Sequence, residues 1–178
     1  YALITKYKPK TVLEIGTAEG YSTLCMAWAM TDNKIDGKIF TIDPKSHHLS
    51  IERSIILEDG KIIKKKLSTD ELWNKFAKPE WVKKIQVISG YAGEVLNNNK
   101  FPKMEFGYID GAHFYEAVKH DFYGFLKLSD EKFTILFDDY VPGRSDGVSK
   151  VIDEEIANNF DTVFIKTDAK KHRKEIGI

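Results

Sequence analysis

Val12-Leu13-Glu14-Ile15-Gly16-Thr17-Ala18-Glu19-Gly20-Tyr21-Ser22 is the stretch on which the reading of the fold turns. An apolar run ends in two glycines four positions apart, then passes into the helix-forming segment from Tyr21 to Met30. Glycines between a strand and a helix allow a tight turn and a close backbone approach by a ligand. The pattern predicts a strand over 11–15, a turn, and a helix over 21–30. Three further apolar runs end in acids: Asp43 in IFTID, Asp110 in FGYID, and the pair Asp138-Asp139 in ILFDD. Strands separated by helical patterns predict a doubly wound, Rossmann-like α/β fold, with a mainly parallel sheet of six to seven strands flanked by helices. In such a sheet the four strand ends open on one edge, where small-molecule sites form.

The remaining elements follow from periodicity and turn residues. Residues 1–9 read as the tail of a helix that stops before Pro9, and 38–42 as the second strand. Ser50 to Leu57 is expected to be helical, Asp59-Gly60 a turn, and Ser68 to Phe76 a helix opening on the capping sequence Ser-Thr-Asp-Glu. Strands are expected over 84–88, 104–109 and 133–137, with helices over 113–128 and 148–157. Thr162 to Ile165 reads as a sixth strand, and Glu175 to Ile178 as the start of a final edge strand.

A chain of 178 residues with 42% apolar and 30% charged residues suits one globular domain over 1–178. Its 27 basic and 27 acidic residues cancel, so charge draws it neither to nucleic acid nor to an anionic membrane. Lys61-Ile62-Ile63-Lys64-Lys65-Lys66 reads as a solvated loop or edge. Cys25 lies in the apolar segment LCMAWAM, so the expectation is a small buried hydrophobe and a reducing, cytoplasmic setting. No run of 18 apolar residues is present.

A dinucleotide fingerprint would place a third glycine inside the turn, and this chain has Gly16-Thr17-Ala18-Glu19-Gly20 instead. Glu19 would stand close to any phosphate. A cofactor without phosphates, carrying a positive sulfonium and an amino group, suits a pocket holding Glu14 and Glu19. Asp43 at the next strand tip can accept both ribose hydroxyls, and Ser89-Gly90-Tyr91-Ala92 follows the strand that would meet an adenine. The competing explanation makes Gly16 and Gly20 plain turn residues and Asp43 a cap before Pro44.

Asp110, Asp138 and Asp139 would lie beside the glycine turn. Three carboxylates so close repel unless a proton or cation intervenes. A hard divalent ion, Mg²⁺ first, resolves the conflict and can lower the pKa of a bound substrate hydroxyl. His113 opens the next helix and is placed to take a proton, to ligate the ion, or to cap the helix. His120 and Asp121 lie farther along that helix in supporting positions, and His47-His48 reads as exposed loop. Tyr115, Tyr140 and Arg144 are candidate acceptor contacts. There is no nucleophile elbow, no phosphate-binding G-K-[ST] loop and no cysteine pair for zinc. Neither the acceptor nor the oligomeric state is written in the pattern.

VLEIGTAEGYST and IFTID, with IDGAHFYEAVKHDF, ILFDDYVPG and GVSKVIDE, resemble a class I S-adenosylmethionine-dependent methyltransferase over nearly all of 11–165. The likeness is to the small cation-dependent O-methyltransferases of the catechol kind and their sugar-methylating relatives. It implies that Glu14, Gly16, Thr17 and Gly20 shape the methionine end of S-adenosylmethionine, with Tyr21 and Ser22 beginning its helix. It further implies Asp43 at the ribose, Ser89 to Ala92 at the adenine side, and Asp110 touching both donor and ion. Asp110, Asp138 and Asp139 would be ion ligands. Catechol-type enzymes often carry Asp-Asn where this chain has Asp138-Asp139, a departure that leans toward the sugar-methylating relatives; His113 stands where the family carries a lysine base, which implies a base there and leaves its identity open. The implied reaction is cation-assisted methyl transfer to a small-molecule or sugar hydroxyl; a metal-independent methyltransferase, an NAD-dependent oxidoreductase and a noncatalytic binding module remain as alternatives.

Overall fold

The computed structural model describes residues 1–57, 59–144 and 147–165. Helix α1 (Ala2–Tyr7) ends on Lys8 in the left-handed conformation, and β1 (Thr11–Ile15) follows. After the glycine turn come α2 (Tyr21–Asp32) and β2 (Lys38–Asp43). An excursion then carries β3 (Ile51–Ile56), β4 (Ile62–Leu67), α3 (Thr69–Phe76) and α4 (Pro79–Val82). The chain returns through β5 (Ile85–Ser89), α5 (Ala92–Asn98), β6 (Met104–Ile109), α6 (Tyr115–Leu128) and β7 (Ser129–Phe137). It closes with α7 (Gly147–Val151), which runs into a π-helical turn over Ile152–Ile156.

Five strands form one parallel sheet in the order β5-β2-β1-β6-β7. The chain winds outward from β1 to β2 and β5, then crosses back to β6 and β7. The order therefore reverses beside β1, where open α/β sheets bind ligands. β1 is buried along Val12–Ile15 because helices cover both faces. On one face Ile4, Met26, Ala27 and Met30 pack with Val12, Ile39 and Phe106. On the other, Val95, Leu96 and Phe125 pack on Leu13, Ile15 and Ile42, while Val118 and Phe122 join Val148 and Val151.

The doubly wound class agrees with the sequence reading, but the described sheet has five strands, not six or seven. Thr162 to Ile165 is irregular chain, with Val163 and Ile165 exposed. The expected edge strand over 175–178 lies outside the described residues. The segment read as helix over 50–57 is instead β3, paired antiparallel with β4 through Arg53↔Lys65 and Ile55↔Ile63. Its isoleucines satisfy helical spacing as well as alternation, and β-branched residues tip the balance toward a strand. The lysine run is β4, an exposed strand. Ser68 caps α3 as expected: its hydroxyl accepts the Glu71 N–H at 3.1 Å, and the Glu71 carboxylate accepts the Ser68 N–H at 2.7 Å. Cys25 is only half-buried. No described helix is long and apolar enough to cross a membrane.

Candidate active site at the switch point

The glycine turn is built from backbone that only glycine tolerates well. Gly16 has φ +97°, and a Cβ there would fall 2.0 Å from the Asp110 carbonyl oxygen. That contact locks the turn against the end of β6. Gly20 has φ +77° and lies under the Trp73 ring of α3, whose indole N–H donates to the Glu19 carbonyl at 3.1 Å. Glu19 also meets Arg53 of β3 and, at 3.9 Å, Lys45. The excursion after β2 is thus fastened to the outside of the turn. His47 belongs to this contact: it is 3% exposed and packs on Trp73 at 5.7 Å, contrary to the exposed loop expected. Its Nδ1 is a buried nitrogen without a hydrogen bond among the described residues.

Behind the turn, Glu14 is fully buried. Ser22 and Thr41 donate to its carboxylate at 2.6 Å each, and Thr23 donates as well. Burial pushes its pKa up and the three hydroxyls pull it down. Thr17 and Thr41 share a 2.5 Å hydroxyl contact beside it. Glu14 therefore shapes the turn from beneath, through Ser22 and Thr23 of α2. Asp43, at the tip of β2, accepts the N–H of Ala18 at 2.8 Å on one oxygen and that of Lys45 at 2.8 Å on the other. Each oxygen keeps a further acceptor site, so the residue can hold the turn and still receive hydroxyls. Asp43 pairs in register with Ser89, which brings the Ser89–Ala92 segment to the same edge. Tyr21 and Tyr91 stand out from that edge, 86% and 69% exposed.

The acids also converge. The Tyr108 hydroxyl lies 3.2 Å from an Asp110 oxygen and 3.0 Å from an Asp138 oxygen, bridging the two. His113 sits between the other pair, its Nε2 3.6 Å from Asp110 and its Nδ1 3.3 Å from Asp139. Asp110 is the common member. Burial pushes its pKa up, and the neighbouring Asp138 carboxylate pushes it further. Asp139 adopts φ +59°, a left-handed conformation uncommon outside glycine, and its N–H donates to an Asp138 carboxylate oxygen at 2.9 Å. One donor atom each from Asp110, His113 and Asp139 lie within 4.8 Å of one another. Asp138 reaches this group through Tyr108, a residue the sequence gives no reason to single out. The two tyrosines expected to contact an acceptor are engaged elsewhere: Tyr115 donates to Glu155 at 3.0 Å and Tyr140 to Asp153 at 3.1 Å.

Residues 13–140 match the family model described as a methyltransferase domain. The chain belongs to that family, and the resemblance seen in its motifs holds. No curated protein matches it. Among solved structures, the O-methyltransferase from Bacillus cereus in complex with SAH is 22% identical, with a TM-score of 0.56 over 86% of this chain and 58% of that one. The O-methyltransferase TomG from Streptomyces achromogenes, involved in tomaymycin synthesis and solved with SAM, is 17% identical with a TM-score of 0.57 over 86% and 56%. CalS11, a TDP-rhamnose 3'-O-methyltransferase of calicheamicin biosynthesis, is 11% identical with a TM-score of 0.63 over 94% and 71%. These likenesses establish the shared fold. This chain spans a little over half the length of the first two.

Proposed function

We propose that this domain transfers a methyl group from S-adenosylmethionine to a hydroxyl oxygen of a small molecule or sugar, assisted by a divalent cation. The carrying observation is the meeting of the Gly16 turn, Asp43 and the Asp110 group on one sheet edge. Relatives of the same fold bind SAM or SAH and include a sugar O-methyltransferase, which supports the donor and the acceptor class. In this reading Gly16, Thr17, Gly20, Tyr21 and Ser22 frame the methionine end, with Glu14 supporting them from below. Asp43 receives the ribose, and Ser89, Gly90, Tyr91 and Ala92 border the adenine.

Asp110, Asp138 and Asp139 are the proposed ion ligands, with His113 close enough to join them or to act on the acceptor. A set of carboxylates fits a hard ion such as Mg²⁺. When bound, the ion would lower the pKa of an acceptor hydroxyl and fix its orientation. His113 takes the hydroxyl proton, and Asp110 and Asp139 on either side meet the charge it gains. The acceptor oxygen then forms its bond to the methyl carbon while the carbon–sulfur bond breaks, and sulfur keeps the electron pair. The chain's main task is alignment, which can contribute on the order of 7–11 kcal/mol.

Calorimetry on two variants tests the division of labour. Asp110→Ala is expected to abolish turnover and leave S-adenosylhomocysteine affinity within a few-fold. Asp43→Ala is expected to weaken that affinity about tenfold or more. The reverse pattern would overturn the assignments.

A further inference from the structure

Glu19 belongs to the glycine turn, and the proposed reaction gives it no task. Its backbone carbonyl accepts the Trp73 indole N–H at 3.1 Å. Its carboxylate meets Arg53 through one oxygen, and the other lies 3.9 Å from the Lys45 ammonium. The Arg53 side chain is 9% exposed and spends two further donors on the Leu67 carbonyl and the Thr69 hydroxyl, at 2.9 Å each. Lys45 comes two positions after Asp43, and its N–H donates to that carboxylate at 2.8 Å. Two cations beside the turn are thus met by one acid of the turn itself.

A glycine turn leading into a helix is the arrangement in which backbone N–H groups and the helix dipole hold a phosphate. Here several of those donors are spent inside the chain. The Gly16 N–H goes to the Ile42 carbonyl at 2.9 Å, that of Ala18 to Asp43 at 2.8 Å, and that of Gly20 to the Thr17 carbonyl at 2.7 Å. The hydroxyls of Ser22 and Thr23, on the first turn of α2, go to Glu14. Arg53 and Lys45 are then the charges nearby on which a phosphate would draw, and a guanidinium matches phosphate oxygens well. Glu19 engages both.

We infer that Glu19 is a specificity-determining residue: it turns phosphate-bearing adenine nucleotides away from the donor pocket by supplying, from within the turn, the anion that Arg53 and Lys45 would otherwise take from a ligand. This rests on the donor assignment proposed above, in which Asp43 receives the ribose and the glycine turn frames what the ribose carries. S-adenosylmethionine and an adenine nucleotide share their adenosine. They differ in that substituent, a sulfonium with its amino-acid chain in one and phosphate in the other. A phosphate there finds its cations already paired and adds its charge to that of Glu19, whereas a sulfonium meets no such opposition. Specificity of this kind comes from what a site refuses as much as from what it grips. One carboxylate thus fastens the excursion to the turn and sets the charge of the ligand that the turn accepts.

Displacement of S-adenosylhomocysteine by adenosine and by ADP, followed by calorimetry at neutral pH, reads this out in the wild type, Glu19→Gln and Glu19→Ala. The wild type should hold adenosine about tenfold more tightly than ADP. In both variants ADP should gain about tenfold relative to adenosine, because Arg53 and Lys45 are then free to meet its phosphates. Added salt should shrink that gain, and Lys45→Met placed on top of Glu19→Gln should take part of it back. A loosened turn would weaken both ligands together, so the ratio separates a change of specificity from structural damage, and thermal melts confirm that each variant is folded. An unchanged ratio in the two Glu19 variants, or a wild type that holds ADP as tightly as adenosine, overturns the inference. A wild type that binds neither S-adenosylhomocysteine nor adenosine instead removes the donor assignment, and the inference with it.

Discussion

The two halves of the site, proposed above to take the methyl donor and the acceptor, treat their carboxylates in opposite ways. On the donor side, Glu14 is met by three hydroxyls and Asp43 by two backbone N–H groups. On the acceptor side, Asp110 and Asp138 share one tyrosine hydroxyl, and Asp110 and Asp139 share one histidine. Each donor-side acid is thus served by its own donors, whereas Asp110 and Asp139 share theirs and Asp138 adds to the shared hydroxyl only the Asp139 N–H. In the donor half the acids are satisfied by the chain itself. The acceptor half concentrates negative charge on a few shared donors, which is the property the proposed cation site would use. The difference lies between finished scaffold and unfinished electrostatics, not between buried and exposed acids.

The largest effect should come from the acceptor half. His113→Ala is expected to lower kcat by about 10²–10⁴-fold and to leave S-adenosylhomocysteine affinity within twofold. If His113 acts as base, exogenous imidazole should restore part of the rate. If it serves chiefly as a ligand, added Mg²⁺ should restore it and imidazole should not. Steady-state kinetics with each supplement separates the two.

Stability measurements should show the opposite ranking. Glu14→Ala strands Ser22, Thr23 and Thr41 around a cavity and should cost on the order of 3 kcal/mol in a denaturant melt. Asp138→Ala removes one of two carboxylates crowding a single hydroxyl and should shift stability by no more than about 0.5 kcal/mol, or raise it. Comparable losses in the two variants would break the contrast, because Asp138 would then be as well supported as Glu14.

The parts of this arrangement that are local in the chain could be read from it. An apolar run followed by an acid marks Asp43, Asp110 and Asp138-Asp139 as strand ends, and the glycines mark the turn at the switch point. Their convergence follows from the winding rule for parallel strands. What escaped depends on contacts between distant segments. Nothing near Trp73 or His47 in the sequence says that Trp73 covers Gly20, far upstream, or that His47 packs on Trp73. Tyr108 looks like any half-buried strand residue until Asp138 arrives from the neighbouring strand. The isoleucines of 51–56 fit two periods at once, and pairing with 62–67 decides between them. Ser129 to Lys132 is too polar to announce a strand, yet it opens β7 at the sheet edge.

Those long-range contacts lead to a more modest loss than that of Glu14→Ala, and to a test of whether the donor half is finished by the main sheet alone. Gly20 and Gly60 have nearly the same backbone, φ +77° and +78°. A Cβ at Gly60, in the β3–β4 turn, meets nothing within 4 Å, whereas one at Gly20 would lie 2.1 Å from the Trp73 ring. Alanine at either position bears the left-handed penalty, roughly 1 kcal/mol. Only Gly20→Ala must also move a buried indole that is hydrogen-bonded to Glu19. The excess of Gly20→Ala over Gly60→Ala in a thermal melt therefore isolates the Trp73 contact, and about 1–2 kcal/mol is expected. Donor affinity should fall in Gly20→Ala alone, because the displaced α3 loosens the turn that frames the pocket. If the two alanines cost the same and neither alters affinity, the excursion over 44–84 merely leans on the donor half. An excess accompanied by weaker binding makes it part of that half, built from a segment whose importance only the folded chain reveals.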